Sequence, residues 1–393
     1  MESFRRSKLP DVGTTIFTIM SRRARELGAL NLGQGFPDYD IDPRLTELVA
    51  AAMTAGHNQY APMEGVMELR ERIARKLQAC YAVSVDPESQ ITVTCGATEG
   101  IYSAIQAVIG PGDEAIAFDP AYDSYEPAVR LAGGRCVRLP LLPPGFRYDW
   151  DRVRAAINDR TRLVLFNTPH NPACTVATRG DLNALADVIR GRDILVMSDE
   201  VYEHVVYDGN THASVLLHPE LAEKSFAVFS FGKTMHATGL RVGYAVASPI
   251  LTRELRKVHQ YNTFSITHPL QHALAQYLAE KPEGWRALPG FFQAKRDRLI
   301  RALAPSGLRM PPAQGTYFQL IDFGAAFAPE DVGFAERLLT EAGVATIPLS
   351  PFYEQPPALH VVRVCVAKQD RTLDAAAERI NAFMSGLGKA GGR

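Results

Sequence analysis

Short apolar runs rich in valine, isoleucine and phenylalanine alternate with helix-length segments between about residues 90 and 250. This alternation is typical of parallel strands joined by crossover helices. Each run ends in a polar or glycine-containing turn, and in an open α/β sheet such turns converge on one crevice where ligands bind. The predicted strands span 91–95, 115–118, 163–166, 194–198 and 226–230.

Beyond about residue 250 the pattern changes to helix-compatible stretches mixed with short apolar segments at 316–321, 344–347 and 360–366. This mixture predicts a separate, smaller α+β domain. The N-terminal segment has no strand partner of its own, so we expect it to pack with that domain. The predicted fold is α/β, with a mostly parallel central sheet flanked by helices in a large domain. The predicted bounds are 45–285 for the large domain, and 1–44 with 286–393 for the small, discontinuous one.

Composition narrows the possible functions. The chain has 393 residues, 46% of them hydrophobic and 22% charged, with a net charge of -1. These values are typical of a globular protein, and the near-zero charge without long basic blocks does not favour a nucleic-acid partner. No run of about eighteen apolar residues predicts a membrane span, and no apolar stretch near the N-terminus predicts a secretory signal.

Cysteine and histidine spacing adds two expectations. The five cysteines are odd in number, widely spaced and form no CxxC pair, which favours free thiols and a cytoplasmic protein. The ten histidines include no HExxH motif. His268 and His272 show no third ligand at a suitable spacing, so no metal is predicted.

The segment 230–241 carries the most informative residues. Lys233 comes just after a predicted strand, with Ser230 three positions before it and Arg241 eight positions after it. An amine that forms an imine, together with a hydroxyl and a guanidinium that bind phosphate, is what a pyridoxal phosphate enzyme requires. Residues 232–234 also resemble the end of a P-loop, but the glycine required five positions before Gly232 is Ala227, so a P-loop is not predicted.

Further candidates for the same site follow other predicted strands. Asp199 is placed to keep a pyridine nitrogen protonated, or it caps the following turn. Tyr202, three positions on, can direct its hydroxyl into the same crevice. Asn171 lies between prolines that stiffen its backbone, so its amide can point at one ring atom, although a plain turn explains this motif equally well.

The predicted junction at 96–98 lies between a strand and a helix expected to begin near Glu99. Amides of Gly96 and Ala97 and the hydroxyl of Thr98 would form an anion site there, or Thr98 is an ordinary helix cap. Either of two nearby tyrosines, at positions 122 and 125, can stack on a cofactor ring, and their spacing does not separate them.

Arg363 is a charged residue in the middle of an apolar predicted strand. An arginine is rarely buried without a partner, and its forked guanidinium fits the α-carboxylate of a substrate. The alternative is an edge strand on which Arg363 faces water.

The order and spacing of these residues resemble those of class I/II aminotransferases, which belong to the aspartate aminotransferase superfamily with fold type I. Within it, the chain looks most like the methionine aminotransferases and the kynurenine/glutamine aminotransferases. The resemblance extends from the glycine loop at 33–35 to Arg363. It rests on NLGQGFPD at 31–38, NQYAP at 58–62, SDEVYEH at 198–204 and KVHQY at 257–261.

The resemblance implies pyridoxal 5'-phosphate as cofactor and a role for each candidate. Lys233 would form the Schiff base, Asp199 would contact the pyridine nitrogen, and Tyr202 with Asn171 would contact the ring oxygen. The resemblance favours Tyr122 over Tyr125 for stacking. The phosphate would be bound by Gly96, Ala97, Thr98, Ser230 and Arg241, and the substrate by Arg363, Asn171, Gly35, Ile16, Phe264 and Ser265. Tyr60 would reach the phosphate of a neighbouring subunit, which implies a homodimer with shared active sites.

One departure from the kynurenine-type pattern bears on the substrate. Ser265 stands where the kynurenine-type enzymes carry a histidine, which favours methionine as amino donor. Aromatic amino acids, glutamine and kynurenine remain further candidates. The predicted reaction is a ping-pong transfer of the amino group to a 2-oxo acid, and the alternative is a cysteine-conjugate carbon-sulfur β-lyase on the same fold.

Overall fold

The computed structural model describes residues 7–324 and 330–390, which form twelve strands and fourteen α-helices. The strands are β1 (Leu30–Asn31), β2 (Ile91–Thr94), β3 (Glu114–Asp119), β4 (Arg135–Pro140), β5 (Thr161–Asn167), β6 (Leu195–Asp199), β7 (Ser225–Ser230), β8 (Gly243–Val246), β9 (Phe318–Asp322), β10 (Val344–Ala345), β11 (Ile347–Pro348) and β12 (Val361–Cys365). The helices are α1 (Ile16–Glu26), α2 (Pro43–Thr54), α3 (Met67–Tyr81), α4 (Gly96–Val108), α5 (Tyr125–Leu131), α6 (Trp150–Ala156), α7 (Arg179–Ile189), α8 (Pro219–Lys224), α9 (Phe231–Thr234), α10 (Pro249–Asn262), α11 (His268–Glu280), α12 (Leu288–Leu303), α13 (Asp331–Glu341) and α14 (Asp370–Ala390).

Seven strands form the central sheet, in the order β2-β8-β7-β6-β5-β3-β4. The five strands from β7 to β4 are parallel to one another. β8 is antiparallel to both of its neighbours. The prediction of a mostly parallel central sheet is therefore confirmed.

All five predicted strands of this sheet are present, as β2, β3, β5, β6 and β7. Two further strands, β4 and β8, were not predicted. β4 is an edge strand whose apolar positions are interrupted by Arg135 and Arg138, and β8 has only four residues and begins with a glycine. The predicted start of α4 near Glu99 was three residues late, because Gly96 already belongs to the helix.

Helices cover both faces of the central sheet. On β3, Ala115 and Ala117 pack in one buried cluster with residues of α4 and α5, whereas Ile116 and Phe118 pack in a second cluster on the opposite face. This alternation follows from the two-residue period of a strand. Both faces are buried, which explains why these strands read as nearly continuous apolar runs. No helix in residues 7–324 or 330–390 is both long and apolar enough to cross a membrane.

A second group of strands comes mainly from the C-terminal part of the chain. β11, β12 and β9 form an antiparallel sheet, and β1 pairs in parallel with β10, with Leu30 opposite Val344. The N-terminal segment thus contacts a C-terminal strand. The domain bounds at 45–285, and at 1–44 with 286–393, stay a prediction, and residues 1–6, 325–329 and 391–393 of the smaller domain lie outside the described residues.

The strand register brings several polar turns to one edge of the central sheet. Gly243 at the start of β8 pairs with Thr94 at the end of β2 and with Ser230 at the end of β7. Asp199 at the end of β6 pairs with Asn167 at the end of β5. The turns that follow these strands therefore meet, as expected for an open α/β sheet.

Candidate active site

A cavity of about 310 Å³ lies at this edge of the sheet, a volume at the lower end of the range for small-ligand sites. Its lining residues come from turns that are far apart in the chain. It is lined by Ala97, Thr98, Ile101, Tyr122, Asn171, Asp199, Val201, Tyr202, Ser230, Lys233 and Arg241. The sequence singled out every one of these residues except Ile101 and Val201.

Lys233 lies on the short helix α9, directly after β7. Its Nζ donates a hydrogen bond to the hydroxyl of Tyr317 at 2.9 Å and lies 5.6 Å from the ring centroid of Tyr202. Burial lowers the pKa of this amine from 10.5 to about 8. A larger fraction of the amine is therefore neutral near neutral pH than for an exposed lysine, and the neutral form is the nucleophile and base.

Tyr317 was not singled out by the sequence, yet it connects two parts of the site. Its hydroxyl donates a hydrogen bond to the backbone oxygen of Gly35 at 2.6 Å and accepts the bond from Lys233. Gly35 itself has little room, since a Cβ atom there would lie 2.6 Å from Phe318 Cζ. A tyrosine in a predicted apolar strand is ordinarily a packing residue. The residue pattern therefore held no signal for this contact.

Asp199 is buried at the end of β6, with 4% of its surface exposed. Its Oδ2 accepts a hydrogen bond from the Tyr125 hydroxyl at 2.6 Å, and its Oδ1 accepts one from the Val201 amide at 3.3 Å. Burial raises the pKa of this carboxyl to about 6, while the bond from Tyr125 opposes that shift. The Lys233 amine nearby lowers this pKa only as one of the smaller contributions, so the environment favours a cationic ligand group beside the carboxyl.

The structure separates Tyr122 from Tyr125. Tyr125 is buried and its hydroxyl is bonded to Asp199. Tyr122 lines the cavity, as does Thr98. The two rings meet edge to face, with centroids 5.6 Å apart. Of the two, Tyr122 is therefore the ring that a ligand in the cavity meets.

Anion-binding groups lie on another side of the cavity. α4 begins at Gly96, whose φ of +67° lies in the left-handed region, so the amides of Ala97 and Thr98 are at the positive end of the helix dipole. A Cβ atom on Gly96 would overlap the guanidinium of Arg241. That guanidinium donates to the Thr238 oxygen at 3.1 Å. With the hydroxyl of Ser230, which also lines the cavity, these groups can bind a phosphate.

Arg363 is buried in β12, with 1% of its surface exposed. β12 lies between β11 and β9, so the alternative of an edge strand facing water is wrong. The guanidinium donates to Asn171 Oδ1 at 2.5 Å and to the Gly33 oxygen at 3.1 Å. Its Nε is buried without a hydrogen-bond partner among the described residues. A buried donor of this kind is typical of a site that receives an anionic ligand.

Phenylalanine rings cover the Arg363 guanidinium. Its Cζ lies 3.7 Å from the ring centroid of Phe318 and 5.0 Å from that of Phe17. Ile16, the first residue of α1, is half-buried beside Phe17 and packs against the same apolar cluster. Ile16 does not line the cavity around Lys233. The sequence missed Phe17, whose contact with Arg363 depends on the docking of α1.

Tyr60, Phe264 and Ser265 form a separate group outside that cavity. The rings of Tyr60 and Phe264 meet edge to face at 5.3 Å, and the Ser265 hydroxyl donates to the Ala61 oxygen at 2.9 Å. Tyr60 is 81% exposed and Phe264 is 45% exposed. Within one subunit these three residues are thus brought together with each other but not with Lys233.

Comparison with known proteins agrees with this geometry. Residues 28–380 match the family model of aminotransferase class I and II. Methionine aminotransferase of Escherichia coli (strain K12) is 52% identical over 374 residues, which cover 95% of this chain and 97% of that protein. Kynurenine–oxoglutarate transaminase 3 of Homo sapiens is 32% identical, with 96% of this chain and 89% of that protein covered.

Solved structures show the same relationship. A crystal structure from Escherichia coli, described as identifying a methionine aminotransferase function, has a TM-score of 0.94 at 51% identity and covers 96% of this chain and 99% of its own. The structure of N-succinyldiaminopimelate aminotransferase from Mycobacterium tuberculosis has a TM-score of 0.92 at 36% identity, with the same coverage. The predicted fold type I is confirmed. The chain belongs to the aminotransferase class I and II family and is an aminotransferase.

Proposed function

We propose that this aminotransferase uses pyridoxal 5'-phosphate to move the amino group of methionine to a 2-oxo acid in a ping-pong reaction. One observation carries the proposal: a buried amine, a buried carboxyl and an anion-binding helix end line the same cavity. Aromatic amino acids, glutamine and kynurenine are further donor candidates. Their reactivity depends on the shape of the side-chain pocket.

The groups around the cavity fit this cofactor in number and in chemical type. When bound, pyridoxal phosphate supplies an electron sink for the charge that develops at the substrate α-carbon. The cavity offers a hydroxyl and an amide for the ring oxygen, a tyrosine ring for the face of the pyridine, and donors for the phosphate. We assign the contacts with the ring oxygen to Tyr202 and Asn171, and the stacking on the pyridine to Tyr122. The phosphate would be bound by Ala97, Thr98, Ser230 and Arg241, and the absence of a side chain at Gly96 would let the phosphate come close to the backbone.

Asp199 and Lys233 have distinct tasks in the proposed reaction. The buried carboxylate of Asp199 keeps a proton on the pyridine nitrogen, because each charge stabilises the other where water is excluded. Lys233 Nζ would act as the base that takes the proton from the substrate α-carbon, and its pKa of about 8 suits a base at neutral pH. The Tyr317 hydroxyl orients this amine.

Arg363 binds the α-carboxylate of the amino acid in this proposal. Its unpartnered Nε supplies a donor, and Asn171 holds the other side of the guanidinium in place. Arg241 is the one arginine among the residues that line the cavity, and it is engaged in the phosphate site. An uncharged side chain such as that of methionine is therefore favoured over that of aspartate, in agreement with the 52% identical relative.

We further propose a homodimer in which Tyr60, and with it Phe264 and Ser265, completes the site of the neighbouring subunit. The exposed aromatic side chains Tyr60, Phe264 and Tyr261, the last of them 87% exposed, support this assembly.

All five cysteines are free. Free thiols support a cytoplasmic location, where disulfides are rare.

Substitution of Lys233 tests the assignment of the cofactor and the base. Lys233→Ala removes the amine, so we expect turnover of methionine with a 2-oxo acid to fall by at least roughly a hundredfold, together with loss of the absorbance of lysine-linked cofactor. Lys257→Ala is the control, because Lys257 is exposed and pairs only with Glu254 on the surface of α10. Unchanged turnover in Lys233→Ala would refute the proposal.

A panel of amino donors tests the substrate. Single-turnover absorbance changes are recorded with methionine, glutamine, phenylalanine, tyrosine, kynurenine and aspartate, and methionine is expected to react fastest. Aspartate reacting fastest would contradict the role given to Arg363 as the sole carboxylate-binding arginine. Release of pyruvate and ammonia from a cysteine conjugate without added 2-oxo acid would indicate carbon-sulfur β-lyase chemistry instead.

A further inference from the structure

Three histidines meet where the end of α2 approaches the start of α11. His268 and His272 are four residues apart on α11 and therefore share one face of the helix. His57 lies in the segment just after α2. One nitrogen from each imidazole lies within 4.8 Å of those from the other two, and all three residues are half-buried. The sequence expectation that His268 and His272 have no third partner is wrong, because His57 is distant in the chain but adjacent in the fold.

The spacing of two nitrogens already suits a metal ion. His268 Nε2 and His272 Nε2 lie 3.1 Å apart and share a hydrogen bond, whose proton a bound ion would replace. Two imidazole ligands at about 2.0–2.1 Å from a tetrahedral ion lie roughly 3.3 Å from each other. The His57 ring stacks on His272 with centroids 3.7 Å apart, so the third imidazole lies beside the other two.

A backbone contact determines which nitrogen of His268 is free. His268 Nδ1 lies 2.9 Å from the backbone oxygen of Gln59. A carbonyl oxygen only accepts, so Nδ1 carries the proton and Nε2 keeps its lone pair, directed toward His272. A carbonyl that orients a histidine in this way is the usual support of a metal ligand.

We propose that His57, His268 and His272 bind one divalent transition-metal ion, with zinc as the first candidate. The fourth coordination position of the ion would be left for water. Imidazole nitrogens suit zinc, copper and nickel rather than magnesium or calcium. Within residues 7–324 and 330–390 this is the one group of three or more histidine, cysteine or acidic side chains with such a geometry. The ion would fix the segment 57–60, which includes Tyr60, against α11. The proposal does not depend on the proposed reaction.

The test separates metal binding from mere packing of the three rings. Full-length enzyme is freed of metal with a chelator and titrated with Zn²⁺ by calorimetry and with Co²⁺ by visible absorbance. We expect one ion per chain. In His268→Asn, the side-chain nitrogen replaces Nδ1 as donor to Gln59, but Nε2 is lost. The Zn²⁺ affinity of this variant should fall at least roughly tenfold, because a direct ligand contributes no less than its supporting groups.

Two further variants and a control complete the experiment. His57→Ala and His272→Ala should weaken Zn²⁺ binding in the same way, and Zn²⁺ should raise the thermal midpoint of the wild type and of the control below, but not of the three cluster variants. His360→Ala is the matched control, since His360 is also half-buried and packs on Phe323 outside the cluster. The proposal is overturned if the wild type binds no Zn²⁺, if all three variants keep wild-type affinity, or if His360→Ala loses as much affinity as they do.

Discussion

Tyr317 illustrates how much one hydroxyl can contribute to a buried site. It accepts a hydrogen bond from Lys233 and donates one to the Gly35 oxygen, so it links the reactive amine to the loop that the substrate is expected to contact. An acceptor beside an amine favours the ammonium form. Burial lowers the pKa of Lys233, and we expect the hydrogen bond to the Tyr317 hydroxyl to oppose that lowering.

Removal of this hydroxyl gives a testable outcome. Tyr317→Phe should lower the pKa of Lys233 below its present value of about 8 and reduce kcat by about tenfold, through loss of one positioned hydrogen bond to the base. The pH dependence of amine labelling in the cofactor-free protein measures the first effect. Tyr207→Phe is the control, since its hydroxyl is also buried but donates to the Thr316 oxygen at 2.5 Å. Equal behaviour of the two variants would contradict a specific role for Tyr317.

Asp199 is expected to destabilise the cofactor-free fold. Its pKa in the folded chain is about 6 instead of 3.8, so the folded state binds more protons than the unfolded state between these values. Stability therefore falls as the pH rises through this window, by up to about 3 kcal/mol. Asp199→Asn should be the more stable protein at pH 7 and should lose this advantage below pH 4, although its transamination rate is strongly reduced.

Urea unfolding of the two cofactor-free proteins across this pH range measures the effect. Asp193→Asn, at an exposed position, is the control for the general effect of removing a carboxylate. A lower stability of Asp199→Asn at pH 7 would show that the hydrogen bonds from Tyr125 and Val201 outweigh the burial of the charge.

Local sequence was sufficient for those site residues that follow a strand directly. Lys233 and Asp199 each come right after an apolar run, so the fold had to bring them to one sheet edge. It was not sufficient for Tyr125, Tyr317 and Phe17. Each of these aromatic residues could equally be a packing residue, and the atom that its side chain contacts is determined by tertiary docking alone.

Among the secondary-structure elements, strands that form continuous apolar runs were easier to predict than β4 and β8. β3, β5, β6 and β7 are buried on both faces, and this burial produces continuous apolar runs. β4 lacks that signal because none of its positions is fully buried and Arg135 and Arg138 interrupt its apolar residues. The contact of the N-terminal segment with the C-terminal part was expected, but the register of β1 on β10 could not be derived from two residues.

The junction of β7, β8 and α4 has no space for a side chain at Gly243. A Cβ atom there would lie 2.6 Å from the Phe229 oxygen and 2.8 Å from the Ala97 amide nitrogen. Both of these are backbone atoms, which cannot move alone. The start of α4 is thereby held against β7 and β8. The position of this helix start determines the direction in which its first amides point into the cavity.

Gly243→Ala should separate these elements. We expect a loss of about 1–3 kcal/mol in the unfolding free energy of the cofactor-free protein, as for other overpacked positions, and weaker binding of pyridoxal phosphate in equilibrium dialysis. Gly239→Ala is the matched control from the same segment, because nothing lies within 4 Å of its Cβ position. If the two variants behave alike, the close packing at Gly243 does not determine the anion site.

At the scale of the whole molecule, the exposed aromatic residues need an explanation. Tyr261 and Tyr60 are the two most exposed large apolar side chains of the described residues. Phe264 is exposed as well and has a φ of +69°, which is unusual for a bulky residue. Tyr60 and Phe264 contact each other but not the cavity of their own subunit. In the proposed homodimer, the second copy of the chain buries them and receives Tyr60 in its own cavity.

Mixed dimers of two inactive variants test whether the sites are shared. In a dimer of Lys233→Ala with Tyr60→Ala, one site lacks both residues, while the other combines the intact Lys233 of one chain with the intact Tyr60 of its partner. Random mixing should then restore about a quarter of the wild-type sites. The control is wild type mixed with the double variant that carries Lys233→Ala and Tyr60→Ala in one chain. About a quarter of the sites stay active in this mixture if the sites are shared between chains, and about half if they are not. Turnover measured after co-refolding distinguishes the two cases, and an absence of recovery in the first mixture would place Tyr60 outside the partner's site.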